Sequence, residues 1–291
     1  MLESPRADVE AIGRGALRLR GSELRWGTRT YVMGIVNVTS DSFSGDGRPR
    51  TGDAVAHAIA QFERASDLLD IGAESTRPGH TAIDDATEIV RLVPVVRGVR
   101  ARLPNAIISA DTYKPAVFRA AHEAGADVLN SVWGIPDALL AAAVECGVPV
   151  VITHNKEEAR YDGNAIDEVL TFLEGAAHRA VRAGIPAERV ILDPGIGFGK
   201  TADQNIAVLR GLPRLTALGF PTLLGTSRKS TVGRLTGRGP QERTYGTAAT
   251  LALGIAAGID MVRVHDVAEA RDVVRVSDAL VRDWRPDGWT A

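Results

Sequence analysis

A single cysteine in 291 residues, Cys146, excludes an internal disulfide and fits a reducing compartment. In the helical stretch before VPVV it reads as a small core residue. Neither sign of charge dominates, because 34 basic and 36 acidic residues leave a formal net charge of -2. That balance gives no footprint for nucleic acid or for an acidic membrane surface. Long apolar runs are missing, which excludes a membrane-spanning helix. The opening MLESPRADVE has no apolar segment of the kind a signal peptide uses, so a cytoplasmic location is expected. No His/Cys cluster occurs that would hold a structural metal tightly. Lysine is scarce too: apart from Lys114, Lys156, Lys200 and Lys229, the positive charge is arginine, and Lys200 and Lys229 stand in Gly- or Ser-rich loops.

What is present is a repeated pattern. VILDPGIGFGK, residues 190–200, runs three apolar residues into Asp193, breaks at Pro194-Gly195 and closes on Lys200. An apolar run bounded by turn residues reads as a buried parallel strand delivering a polar residue at its carboxyl end. YVMGIVN ends the same way at Asn37, LLDIG before Glu74, IISAD at Asp111, DVLN at Asn130, VVITH at His154, TLLGTS at Ser227 and MVRVH at His265. Between most of them lie stretches of helical spacing, including 83–99, 138–146, 165–183 and 204–218. Eight strand-then-helix units predict an α/β fold, a (β/α)8 TIM barrel, whose catalytic residues sit at the carboxyl ends of the strands. For any one polar strand end taken alone, a helix cap or turn is an equal reading. A hydrophobic content of 45% suffices for one large core, and single barrels run to about 250 residues. We therefore expect a flexible N-terminus over 1–15 and a single domain over 16–291. ALRLRGSELRWGTRTY alternates around Gly21-Ser22, which predicts a β-hairpin plugging the amino-terminal end of the barrel, with an irregular arm as the alternative.

Two loops carry the donors an anion needs. NVTSDSFSGDG, residues 37–47, is rich in hydroxyls, and Phe43 in it could cover an apolar part of a substrate. ESTRPGH sets Arg77 beside Ser75 and Thr76, and a guanidinium fork suits phosphate oxygens. Taken alone, each loop also reads as a solvated surface turn. In VRVHD, Arg263 and His265 alternate with valines on a buried strand and so share one face. Polar groups placed there are costly unless they have a role.

GIVNVTSDSFS, DIGAESTRPG, ISADTYK, LNSVWG, LDPGIGFGKT, LLGTSRKS and VRVHDV occur in that order. On these seven motifs, from about Tyr31 to Trp284, the chain resembles the dihydropteroate synthases, folate-pathway enzymes of the pterin-binding barrel group. The resemblance implies condensation of 6-hydroxymethyl-7,8-dihydropterin pyrophosphate with 4-aminobenzoate, giving 7,8-dihydropteroate and pyrophosphate. A pterin edge asks for carboxylates to accept its N–H groups and an amide that both donates and accepts. By resemblance, Asp111, Asn130, Asp193 and Lys229 bind the pterin. Asn37, Thr76, Arg77, Arg263 and His265 take the pyrophosphate, with Asn37 near a Mg2+ held largely by phosphate oxygens and water. The aminobenzoate pocket is Thr39, Phe43, Pro78, Phe198 and Ser230. The catalytic weight falls on Asp111, Asp193, Lys229 and Arg263. The implied mechanism is dissociative, the two carboxylates stabilising the pterin-methylene cation left as pyrophosphate departs. An arylamine is already nucleophilic, so positioning and electrostatics replace a Ser, Cys or His base.

The family is commonly dimeric, and the apolar helix predicted over 244–257 is a candidate subunit contact, burial against the barrel being the alternative. Departures from the family pattern are Ser40 in place of Pro, Ala73 in place of Gly, Ser131 in place of Asp, and a charged loop after His154 that lacks the usual MHM run. They concern the aminobenzoate side, where sulfonamides mimic the substrate. Altered sulfonamide sensitivity is therefore expected, and equal inhibition in a matched comparison with a sensitive enzyme would sink that expectation. Two other readings share the barrel. A pterin-dependent methyltransferase has no need of STRPG or SRKS, and a non-catalytic pterin-binding paralogue would be marked by loss of Lys229, Arg263 or His265.

Overall fold

The computed structural model describes residues 14–38, 51–74, 82–286 and 288–290. β1 (Ala16–Leu19) and β2 (Ser22–Arg25) form an antiparallel hairpin. Its two-residue turn puts Arg20 and Gly21 at φ 51° and 78°, the positive values a tight hairpin needs.

Parallel strands follow: β3 (Tyr31–Asn37), β4 (Leu68–Gly72), β5 (Ile107–Asp111), β6 (Val128–Ser131), β7 (Val150–Thr153), β8 (Val190–Asp193), β9 (Leu223–Leu224) and β10 (Met261–Val264). Their order is β8-β7-β6-β5-β4-β3-β10-β9, and a bridge between Leu192 and Thr222 brings β8 beside β9 to close the barrel. Helices α1 (Thr51–Glu63), α2 (Asp85–Arg102), α3 (Pro115–Glu123), α4 (Asp137–Cys146), α5 (Ala165–Arg182), α6 (Ala202–Arg210), α7 (Leu212–Thr216), α8 (Ser230–Thr236), α9 (Thr244–Ala256) and α10 (Val267–Val281) stand between the strands. Among the described residues no helix is long and apolar enough to cross a membrane.

Strand alternation divides the core in two. Val32, Leu69, Ile108, Leu129, Val150, Ile152, Val190, Leu192 and Val262 face outward and pack with the helices. Their neighbours Met33, Leu68, Ile107, Val128, Val151, Ile191, Leu223 and Met261 face inward as one apolar layer, closed from below by Leu17, Leu24 and Trp26 of the hairpin region. The hairpin is therefore the plug its alternation predicted. Trp26 stands edge-on to Tyr31 with ring centroids 5.6 Å apart, and its indole N–H donates to the Glu188 carbonyl at 2.9 Å. Fully buried Asp260 ties this end together, accepting from Gly27 N–H, Thr222 N–H and Arg14 Nη1 at 3.0, 3.0 and 2.5 Å.

Two expectations need correction, and the alternative reading of Asp111 as a helix cap is removed. The helix over 204–218 is two helices, α6 and α7, because Gly211 presses against Ile166, whose Cγ1 lies 2.4 Å from where a Cβ would stand, and Pro213 lacks the N–H to continue the ladder. TLLGTS contributes a two-residue strand, since the chain turns away through Arg228 at φ 58°. Asp111 does not cap α3, whose N-cap is Lys114 with no side-chain cap bond.

Candidate active site

Above the inward apolar layer the same alternation, two residues further along each strand, brings Asp70, Ser109, Asn130, Asp193 and Arg263 into the barrel, with Asp111 at the rim. An apolar floor and a charged upper storey thus come from one period-2 pattern.

The upper storey is organised around one arginine. Arg263 on β10 donates Nε to Asp70 Oδ2 at 2.5 Å and Nη2 to Asp111 Oδ2 at 2.8 Å. Asn130 on β6 donates Nδ2 to the same Asp70 oxygen at 3.1 Å. Burial opposes the charge of Arg263, yet Asp70 and Asp111 together hold its pKa above the usual guanidinium range. One arginine cannot offset two carboxylates. Burial, reinforced by the Asp70 charge and opposed by Arg263, pushes Asp111 up to about 7. The pocket therefore holds a carboxyl poised between its charged and neutral forms.

The 190–200 stretch supplies a second wall. Asp193 ends β8 and accepts the Gly195 N–H at 2.8 Å; burial raises its pKa, and that N–H and Lys229 act in the opposite direction. Gly195 stands at φ 68°, with a Cβ there falling 1.9 Å from the His154 carbonyl oxygen, so only glycine fits the turn. Lys200 Nζ reaches back under it to the carbonyls of Gly195, Phe198 and His154 at 2.9, 3.0 and 3.3 Å and to His154 Nδ1 at 3.0 Å. Burial drives Lys200 down to about 7, with Asp193 pulling the other way. Burial and the Lys200 charge lower His154 to about 3, leaving a neutral imidazole able to accept from Lys200. Asn205 of α6 then takes the Gly197 N–H at 2.8 Å and reaches Thr231 Oγ1 at 3.0 Å, joining this loop to the next.

That next loop presents Lys229. Arg228 occupies the left-handed region, which disfavours a side chain. It is held there by a two-point ion pair with Asp266 and by Arg243 Nη1, which donates to the Arg228 carbonyl at 2.8 Å. Lys229 Nζ lies 3.7 Å above the centre of the Phe198 ring. Its stem passes Gly197, where a Cβ would approach Lys229 Cδ to 2.9 Å. Ser230 begins α8. His265, just past β10, approaches Ser227 Oγ through Nδ1 at 3.0 Å and donates its backbone N–H there at 3.2 Å. Burial, then repulsion by Arg263 and Arg228, lowers His265 to about 3. His265 is therefore held toward its neutral form, able to donate or accept. Asn37 ends β3, half-buried, its backbone paired with Gly72 of β4.

Asn37, Asp111, Asn130, Asp193, Phe198, Lys229, Ser230, Arg263 and His265 all come to the carboxyl end of the barrel. Thr39, Phe43, Thr76, Arg77 and Pro78 lie outside the described residues. Sequence reasoning passed over Asp70, although a carboxylate inside LLDIG was a signal, since a buried charge demands a partner. It also passed over Glu74, which accepts from Tyr113 Oη at 2.9 Å and from Lys114 Nζ at 2.5 Å, while Lys114 also binds Glu88 at 2.7 Å. Of the departures, Ala73 and Ser131 are fully buried, and the loop after His154 packs on the glycine run: a Cβ on Gly199 would stand 2.2 Å from the Lys156 carbonyl oxygen. Among the described residues no group of three or more His, Cys, Asp or Glu side chains forms a metal site.

A family model described as "Pterin binding enzyme" matches residues 33–265. The dihydropteroate synthase of Bacillus subtilis is 40% identical over 268 residues, covering 91% of this chain and 93% of that protein. A crystal structure of Xanthomonas albilineans dihydropteroate synthase with 4-aminobenzoic acid is similar at 42% identity and a TM-score of 0.87, covering 93% of this chain and 99% of that one. The Yersinia pestis dihydropteroate synthase with a sulfonamide drug is similar at 35% identity and a TM-score of 0.84, covering 91% and 98%.

The raised Asp111 makes a stability prediction. A carboxyl whose pKa is higher folded than unfolded adds stability at low pH and loses it as pH rises through about 7. Asp111→Asn is expected to lack that loss and to exceed the wild type in stability by about 1–3 kcal/mol at pH 8 and not at about pH 4. Urea unfolding of both proteins across that range checks it, and a constant difference contradicts it.

Proposed function

The chain belongs to the dihydropteroate synthases of the pterin-binding enzyme family, and on that premise we propose how its residues divide the reaction. The observation that carries the reading is the convergence of Asp111, Asn130, Asp193, Lys229 and Arg263 at one end of the barrel, with Lys229 Nζ 3.7 Å over the Phe198 ring. Asp111, Asn130 and Asp193 take the hydrogen-bonding edge of 6-hydroxymethyl-7,8-dihydropterin pyrophosphate. Arg263, His265 and Asn37, with Thr76 and Arg77, receive its diphosphate. Phe198, Lys229 and Ser230, with Thr39, Phe43 and Pro78, hold 4-aminobenzoate, and Lys229 borders both substrates.

The charge pattern supports a dissociative course. As the C–O bond to pyrophosphate breaks, positive charge grows on the pterin methylene, where Asp111 and Asp193 favour it, and negative charge leaves toward Arg263 and Arg77. Preorganised charges of this kind act without reorganising during the step. The aminobenzoate nitrogen then forms the new C–N bond and gives up its proton to the departed pyrophosphate or to water, yielding 7,8-dihydropteroate. His265 donates a hydrogen bond to the diphosphate.

A Mg2+ fits this donor set in one form only. Asn37 supplies a single hard oxygen at the strand end, so the ion would be carried mainly by diphosphate oxygens and water. When bound, it would neutralise part of the leaving group's charge.

Pyrophosphate release from dihydropterin pyrophosphate in the presence of Mg2+ is expected to depend on 4-aminobenzoate. It is expected to fall at least ~100-fold in kcat/KM for Lys229→Ala and for Arg263→Ala. A coupled pyrophosphate assay measures this; release without aminobenzoate, or variants at wild-type rates, contradicts the assignment.

We also propose a homodimer through α9 and α10. These helices pack on each other and expose Tyr245, Leu253, Val276 and Leu280 at 91%, 73%, 62% and 84%, a surface better suited to a partner than to water. Sedimentation should show a wild-type dimer that Leu280→Glu weakens; a wild-type monomer overturns the proposal.

A further inference from the structure

The run LLDIG puts a carboxylate in the middle of a strand buried on both faces, and Asp70 has no exposed surface. Leu68, two residues earlier, belongs to the apolar layer inside the barrel, so alternation turns Asp70 inward, one layer higher. A charge there is expensive unless it is hydrogen-bonded. Both of its bonds to described residues come from side chains already assigned to the substrate: Arg263 Nε at 2.5 Å and Asn130 Nδ2 at 3.1 Å, on a single oxygen, Oδ2.

We infer that Asp70 is the positioning residue of the pterin site, fixing the amide orientation of Asn130 and the guanidinium plane of Arg263 without touching substrate. An amide can turn over, exchanging donor for acceptor. With Nδ2 on Asp70, Oδ1 and the second N–H of Asn130 are left for a ligand, whereas the turned amide would set an oxygen against a carboxylate oxygen. The guanidinium is fixed by the same logic. Nε on Asp70 and Nη2 on Asp111 are two anchors on separate strands, β4 and β5. A ligand that competes for Asp111 removes one anchor, and Asp70 retains the other. The hydrogen-bond pattern a pterin must match is thus set one layer beneath the residues that contact it.

The inference rests on the pterin-binding reading above, so wild-type turnover and calorimetric binding of dihydropterin pyrophosphate come first; failure there removes that reading. Given a working wild type, Asp70→Asn is expected to weaken pterin binding roughly 10- to 100-fold, the size of a lost charged hydrogen bond. The KM for 4-aminobenzoate should stay near its wild-type value. A purely structural defect would spread to both substrates. In an Asn130→Ala background the same change should cost clearly less, because one of the two groups Asp70 orients is gone. Equal losses in the two backgrounds, or no loss in either, overturn the inference. A second measurement needs no variant and serves where Asp70→Asn does not fold. The Arg263 Nε–H proton in wild type should be protected from solvent exchange both with and without pterin, and exchange at the rate of an exposed guanidinium overturns the anchor.

Discussion

One arginine shared by two buried carboxylates is the constraint on which the site depends. Arg263 has to be charged inside the barrel, and Asp70 and Asp111 hold it so. The balance within the trio is negative, and burial, reinforced by the Asp70 charge, pushes Asp111 at its rim up to about 7. A group that develops positive charge next to Asp111 completes the balance. On the reading proposed above, the pocket would match a pterin-methylene cation better than the uncharged methylene of the bound substrate, which is the condition for catalysis by differential binding.

The rest of the fold keeps this charge in place. The amino-terminal end is closed by Leu17, Leu24 and Trp26 and tied by Asp260. At the carboxyl end the two walls are braced by groups that are themselves constrained. Lys200 gathers three carbonyls of the glycine-rich turn, and Asp266 with Arg243 holds Arg228 in a conformation disfavoured for a side chain. Each brace orients a neighbour: Asp193 and Phe198 in the first case, Lys229 in the second. Such strained or tightly bonded turns concentrate where a site must be held to a fraction of an ångström.

Much of this was legible in the sequence, for identifiable reasons. Turn residues after each apolar run gave the strand count, and polar strand ends gave Asp111, Asn130 and Asp193, because a parallel barrel delivers every such end to one face. The hairpin plug followed from alternation around Gly21. What escaped depended on partners distant in sequence. Asp70 was passed over because its partner Arg263 is 193 residues away. The protonation of His265 was left open, since its bond to Ser227 and the charges of Arg263 and Arg228 around it come from the folded arrangement. The break between α6 and α7 hinged on Ile166 pressing on Gly211, a contact between helices that periodicity does not carry.

The central claim, that the pocket's uncompensated carboxylate favours positive charge at the pterin methylene, is tested most directly by comparing two ligands. The 6-aminomethyl and 6-hydroxymethyl forms of one pterin differ by a charge at that carbon, and their affinities can be measured by calorimetry without pyrophosphate. Above pH 7 the cationic form is expected to bind at least ~10-fold more tightly to the wild type, with the preference largely lost in Asp111→Asn. Equal affinity of the two forms in the wild type, or a preference that Asp111→Asn leaves intact, would contradict the account.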